Sequence, residues 1–358
     1  MSTSDVTREG IRGARPGREA MGANQTAPTV IADGLSIERD QRGQRGQRGQ
    51  RRKAERAMVP KAEFRSYYGR PVLKPPTWKA LDIAGYLFLG GLAGASSTIA
   101  AGAELTGRGR LAKHGKIGAL AAISLGAVGL VHDLGRPSRF ANMLRVLKPT
   151  SPMSVGSWLL SAYAPAAGVA ALTSVFGRFT GLGRAATFGA GLLGPAVASY
   201  TAVLISDTAA PAWHDAYQEM PFIFVGSAAT AAGGLGLLTA PVREAGPAAR
   251  AALLGAGVET AGLHIMKRRI GLAAETYDQG RAGALMKAAE ALTAVGAAAT
   301  VVGRAGRRSR AASAIGGAAL MAASVCTRFG IFEAGRASTE DPKYTVVPQR
   351  ERIDQAPR

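Results

Sequence analysis

The chain of 358 residues carries 44 Lys and Arg against 24 Asp and Glu, for a net charge of +20, yet 47% of it is hydrophobic and its mean hydropathy is only +0.07. A single cysteine, Cys326, excludes an internal disulfide and an iron–sulfur cluster held by this chain alone, which needs about four thiolates. Of the four histidines, His132 and His264 are a conceivable pair of axial haem ligands; the expectation is no haem, no iron and no other metal.

The averages combine two kinds of sequence. Residues 1–63 are polar and basic, and from Gln41 to Gly49 they repeat a Gln-Arg-Gly unit. Such a stretch has too little apolar surface to offset chain entropy, so it reads as a disordered arm. It lacks the apolar core of a secretory signal. An anionic lipid surface suits it at least as well as nucleic acid, and no specific nucleic-acid partner is expected. From Phe64 to Trp78 aromatic and basic residues alternate with prolines, which points to an extended segment at headgroup level.

A membrane domain follows, residues 64–332. Its first span, Leu81 to Ala103, has the roughly twenty residues needed to cross a bilayer core. Gly85, Gly90, Gly91 and Gly94 leave room there for close helix packing or for a flat ligand, and Asp82, Tyr86 and Glu104 are its polar members. The second span, Ile117 to Val131, ends at His132-Asp133-Leu134-Gly135-Arg136-Pro137. Gly135 and Pro137 stop a helix, and His132, Asp133 and Arg136 place titratable and charged groups at interface depth, either as a structural Asp133–Arg136 pair or as the rim of a ligand site.

Ser154 is a candidate cap for a third span running to Phe176, and a fourth extends from Ala185 to Ile205 with Tyr200 near its end. The next connector, Ser206 to Met220, has no Lys or Arg but contains Trp213, His214, Asp215, Tyr217 and Glu219; it reads as a solvated loop or as the mouth of a site. Four further spans are expected: Phe222 to Ala240, Ala249 to Met266, Leu285 to Val302, and Ala311 to Arg328. Glu259 and His264 lie in the sixth, and an intramembrane Glu is either a proton carrier or a neutral structural group. Residues 333–358 read as a loose polar tail.

The fold expected is therefore an all-α integral membrane bundle of eight transmembrane helices in two four-helix halves. Both termini then share one face with the His132 edge and the Trp213 loop. A slight excess of Lys and Arg on that face makes it cytoplasmic by the positive-inside rule, in a cell (inner) membrane.

Four pieces together carry a family pattern: Tyr67-Tyr68-Gly69-Arg70-Pro71-Val72-Leu73-Lys74, Tyr86-Leu87-Phe88-Leu89-Gly90-Gly91, Asp133-Leu134-Gly135-Arg136-Pro137 with Phe140, and Ser151-Pro152-Met153-Ser154 with Gly156 and Trp158. The combination resembles the NrfD/PsrC family, the membrane subunits of polysulfide-reductase-like complexes. The resemblance covers residues 64–332 and leaves the basic arm outside. It implies a subunit that reacts with quinone (menaquinone or ubiquinone) as substrate and passes electrons to or from a docked four-cluster iron–sulfur subunit. A molybdopterin or tungstopterin subunit beyond it performs the terminal chemistry. A quinone-contacting tyrosine of the family matches Tyr200, although Ala202 stands where glycine is common.

The site expected on this basis has His132, Asp133 and Tyr200 at the quinone, with Tyr86, Arg136, Trp213 and His214 binding it, and Glu104, Glu259 and His264 moving protons. Two other classes compete with it. A transporter would use Glu259 and His264 as an ion relay, and a passive anchor would turn over no quinone.

Overall fold

A computed structural model describes residues 6–7, 10–11, 71–134, 136, 138–305 and 309–355; for Arg139 and Phe140 it describes the backbone alone. Within the unit Met1–Ala62, Val6–Thr7 (β1) and Gly10–Ile11 (β2) pair as short antiparallel strands, with Val6 opposite Ile11. The expected disorder of the arm, the Tyr67–Arg70 motif residues and the helix-stopping Gly135 and Pro137 lie outside the described residues.

The second unit, Glu63–Arg358, is helical. Its long helices are α1 (Ala80–Leu105), α2 (Gly109–Asp133), α4 (Pro152–Phe176), α5 (Thr180–Ser206), α7 (Met220–Thr239), α8 (Gly246–Arg269), α9 (Gly280–Ala305) and α10 (Arg310–Glu340). Shorter pieces are α3 (Arg139–Met143), α6 (Pro211–His214), a 3-10 turn at Gly271–Tyr277 and α11 (Lys343–Gln355). Seven of the eight long helices are long and apolar enough to cross a membrane; α8 is long enough at 24 residues, but Arg250, Glu259 and the run Lys267-Arg268-Arg269 lower its hydropathy.

Helix ends follow local chemistry. Ser151, not Ser154, caps α4: its side chain accepts from the Ser154 N–H, and Pro152 takes the first helical position, where no donor is needed. Ser154 Oγ instead ties down the preceding connector, accepting from Lys148 N and donating to Val146 O, each at 3.0 Å. At the start of α2, Glu244 accepts from the N–H groups of Arg110 and Leu111. Arg310 satisfies the last carbonyls of α7, Leu237, Leu238 and Ala240. Both are charges of the sign that a helix end favours.

The bundle is centred on α1 and α7, whose apolar stretches are 67% buried, whereas α9 is 22% buried and sits at the edge. Helix α1 packs on α2, α5, α7 and α10; α4 joins α5 and α2; α8 lies along α7, and α9 along α10. Glycines set the closest crossings. A Cβ at Gly94 would overlap the Gly194 carbonyl, and the same holds for Gly255 with Gly226 and for Gly317 with Gly234. Where apolar burial alone gives no preference for helix over lipid, such backbone contact supplies the packing.

Two sequence-derived boundaries change. Helix α10 does not end at Arg328 but continues to Glu340, because Arg328 is enclosed by neighbouring helices rather than exposed at an interface. The stretch read as a loose tail is helical from Glu333 to Glu340 and again in α11; Ala334, Ser338 and Thr339 are buried, and Tyr344 covers the same end.

Candidate functional site

Alternating helix directions bring Trp78, His132, the Trp213 loop, the 3-10 turn and the end of α10 to one end of the bundle. There His132 Nδ1 lies 2.8 Å from Asp82 Oδ2, joining α2 to the first turn of α1. The carboxylate is nearly enclosed while the imidazole is 60% exposed, so the ring reaches solvent from a shielded partner. Asp133 is half-buried and Arg136 exposed; the expected Asp133–Arg136 ion pair does not form, and His132–Asp82 is the pair at this edge.

One turn deeper on α1, Tyr86 is 2% exposed and its hydroxyl has no hydrogen-bond partner. It faces an apolar cavity of about 340 Å3 lined by Ile123, Leu130 and Val131 of α2 and by Leu160, Ser161 and Pro165 of α4. Gly90 and Gly126 flank the ring, and a Cβ at Gly126 would come within 3.2 Å of it. Pro165 has no N–H, so the Ser161 carbonyl lacks the helical donor it would otherwise meet. The orphan hydroxyl and the freed carbonyl thus both belong to residues that line the cavity. Tyr200 is not among its lining residues: it sits between α5 and α4, with its ring against Gly156. A signal not recognised in the sequence is the buried Ser97–Tyr163 hydrogen bond, 2.8 Å, which links α1 to α4.

Trp213 does not form an open mouth. It is fully buried, its Nε1 donates to the Ile331 carbonyl at 2.7 Å, and it stacks on Trp78 and meets Phe332 at a tilt, with Gly335 against the indole. Its apolar surface and its one donor are both satisfied, so it holds the fold rather than a ligand. His214 is exposed, with Nδ1 3.2 Å from the Ser206 carbonyl. Glu219 is held by Arg269, whose hydrogen bonds and charge keep the carboxyl below its ordinary range against the opposing effect of burial.

Glu104 stands at the opposite end of α1 from Asp82, about 33 Å away at the helical rise per residue. It pairs with Lys116 at 2.5 Å and Arg184 at 3.5 Å, an arrangement that ties α2 and α5 to α1 and is remote from the His132 edge.

Glu259 and His264, by contrast, line one cavity of about 640 Å3 between α8 and α9. Glu259 is 4% exposed and lies beside Ser227, Thr327 and Arg328. Arg328 is the residue that sequence reasoning missed. It is fully buried, its Nη2 donates to the Phe224 carbonyl at 2.6 Å, its guanidinium lies 3.8 Å over the Phe224 ring, and Nε and Nη1 have no partner. The signal was present in the apolar run resuming at Phe329-Gly330-Ile331-Phe332, which makes the arginine internal to a span.

Seven apolar helices and a buried polar interior define a multi-pass membrane protein. A family model described as polysulphide reductase, NrfD, matches residues 74–254, half of the chain, and the chain belongs to the NrfD family. Membrane subunits of this family generally accompany iron–sulfur and molybdenum enzyme subunits. No curated protein matches the chain.

Proposed function

We propose that this protein exchanges electrons between the membrane quinone pool and a docked iron–sulfur subunit of a molybdopterin or tungstopterin oxidoreductase complex, in the cell membrane. In this reading α8 is an eighth crossing, the helices form two groups of four, α1, α2, α4, α5 and α7 to α10, and the His132 end is cytoplasmic. The observation that supports the proposal is an apolar cavity lined by Tyr86, whose buried hydroxyl has no partner, one turn along α1 from the His132–Asp82 pair.

Quinone reduction takes up two electrons and two protons, so the site needs a donor at a carbonyl oxygen, an acceptor for the quinol hydroxyl and a route for protons. Tyr86 supplies the donor, the Ser161 carbonyl the acceptor, and His132, half in solvent and held by Asp82, the route. The apolar walls accommodate the ring and its isoprenoid tail. Asp133, Arg136 and His214 lie at the rim, where the iron–sulfur subunit would sit to receive electrons. Tyr200 packs on α4, whose other residues line the cavity, and positions that wall.

In the co-purified complex, Tyr86→Phe should retain assembly and fold while quinol-analogue turnover falls by about tenfold or more, the effect of one lost hydrogen bond of roughly 1–3 kcal/mol. Unchanged turnover would sink the assignment. A passive anchor would show assembly with no quinol turnover even in the wild type.

A further inference from the structure

The cavity between α8 and α9 belongs to a different part of the molecule from the Tyr86 cavity; Glu259 lines it, and Arg328 lies behind Glu259 outside the lining, two groups that quinone chemistry at Tyr86 does not use. Glu259 Oε2 is buried without a partner. Next to it, Arg328 Nε and Nη1 are buried without partners, and the two residues interact by charge without forming a direct ion pair. An isolated ion in a membrane interior is costly, and removing either member of a buried pair leaves the other uncompensated. Arginine keeps its proton in proteins, so the carboxyl is the member able to change state.

We infer that Glu259 is a proton-loading site whose carboxyl exchanges between Arg328, which it neutralises when ionised, and the cavity, from which it takes up a proton. Loading converts one carboxylate and one proton into a neutral acid, and the pair goes from zero net charge to +1. This deepens the proton-carrying role expected of Glu259 and does not depend on quinone binding at Tyr86.

The surroundings fit such an exchange. Helix α7 brings the Ser227 hydroxyl and no titratable group, and α10 brings Thr327 and Arg328. Helix α1 brings Gly91, where a Cβ would lie 3.3 Å from Arg328 Nη2. Helix α9 faces the cavity with Glu290, and α8 itself adds His264 and Lys267. Lys267 lies two residues from the end of α8, so the polar lining runs from the interface down to Glu259. Thr260 and Thr293 extend it between these points, which gives ordered water the two to four polar partners it requires.

The test uses dicyclohexylcarbodiimide, an apolar reagent that adds to a protonated carboxyl, with adducts located by mass spectrometry in the full-length protein carrying Glu290→Gln. Glu259 should be labelled, and labelling should decline as pH rises. Arg328→Gln should carry labelling about one pH unit or more higher, a tenfold change in proton affinity, while Arg328→Lys should stay near the wild type. No adduct on Glu259 at any pH, or superimposable profiles for the wild type and Arg328→Gln, would overturn the inference.

Should Arg328→Gln fail to fold, infrared difference spectra decide. The wild type must show a protonated-carboxyl band that bleaches with rising pH and that Glu259→Gln lacks; a band unaffected by Glu259→Gln would refute the assignment. Tyr86→Phe should lower quinol turnover by about tenfold or more with Glu259 labelling intact, which separates this inference from the quinone reading.

Discussion

Glu219 shows how a single residue fastens the end of the bundle that carries His132 and Trp213. Arg269 Nε reaches Oε1 at 2.5 Å and Nη2 reaches Oε2 at 2.6 Å, while Nη2 also holds the Asp215 carbonyl, so one guanidinium joins α8 to the loop before α7. The folded carboxyl is held below its unfolded range. Its stabilisation is therefore complete above the ordinary carboxylate range and is lost as pH falls through the depressed folded value. With the guanidinium 35% exposed, screening limits the pair to about 1 kcal/mol. Glu219→Gln should unfold at a lower temperature than the wild type at neutral pH, and the gap should close on acidification; a gap independent of pH would show that the ionised carboxylate is not responsible.

At the same scale, His132 was legible because a charged group at a helix end stands out in an apolar sequence, but its partner Asp82 is fifty positions away and no spacing rule connects them. Arg328 was misread for a related reason. A lone positive charge in an apolar run ordinarily marks an interface; the apolar residues resuming at Phe329 were the sign that this one is internal, and the cover from Phe224 and α1 shows it.

At the level of elements, the sequence placed a helix at each of the eight long ones, seven of them apolar enough to cross a membrane, but showed none of their packing partners. The glycines of α1 were recognised as allowing close approach; that Gly94 meets Gly194 backbone to backbone follows from the α1–α5 crossing and was not in the pattern. Gly94→Val inserts a branched side chain where even a Cβ overlaps a carbonyl. The two helices must then separate along their length, at a cost of about 1–3 kcal/mol or more. Gly102→Val, on the same helix with nothing within 4 Å of its Cβ, should be tolerated. Thermal unfolding in detergent should show a lower midpoint for the first and little change for the second; equal midpoints would mean that the crossing is not tight.

For the whole molecule, the number of crossings rests on α8. It fails on hydropathy, yet it lies against α7 through Gly226 and Gly255 at backbone contact. Of its charges, Glu259 is buried, while Arg250 stands near the start of the helix and the basic run at its end. With Cys326 replaced by Ser the chain has no other cysteine, so single cysteines can report sidedness. Cysteines at Arg243 and Ser309 should react with an impermeant maleimide from one side of oriented vesicles, and cysteines at Gln218 and Gln279 from the other. Gln279 and Arg243 reacting from the same side would mean that α8 does not cross. Sequence averages could not decide this, because a helix shielded by protein tolerates charges that a lipid-facing helix does not.

The stacked indoles of Trp78 and Trp213 have an optical consequence. Their centroids are 6.1 Å apart and their planes are inclined by 20°. At that separation the excited states of the two rings couple, and the near-ultraviolet circular dichroism acquires a paired feature that neither ring gives alone. The third tryptophan, Trp158, is 42% exposed on α4 and contributes an independent background. Because Trp78 precedes α1 and Trp213 lies in the loop before α7, the coupled signal is a built-in gauge of how closely the two segments are held. It is readable without any label and would report the docking at that end of the bundle proposed above.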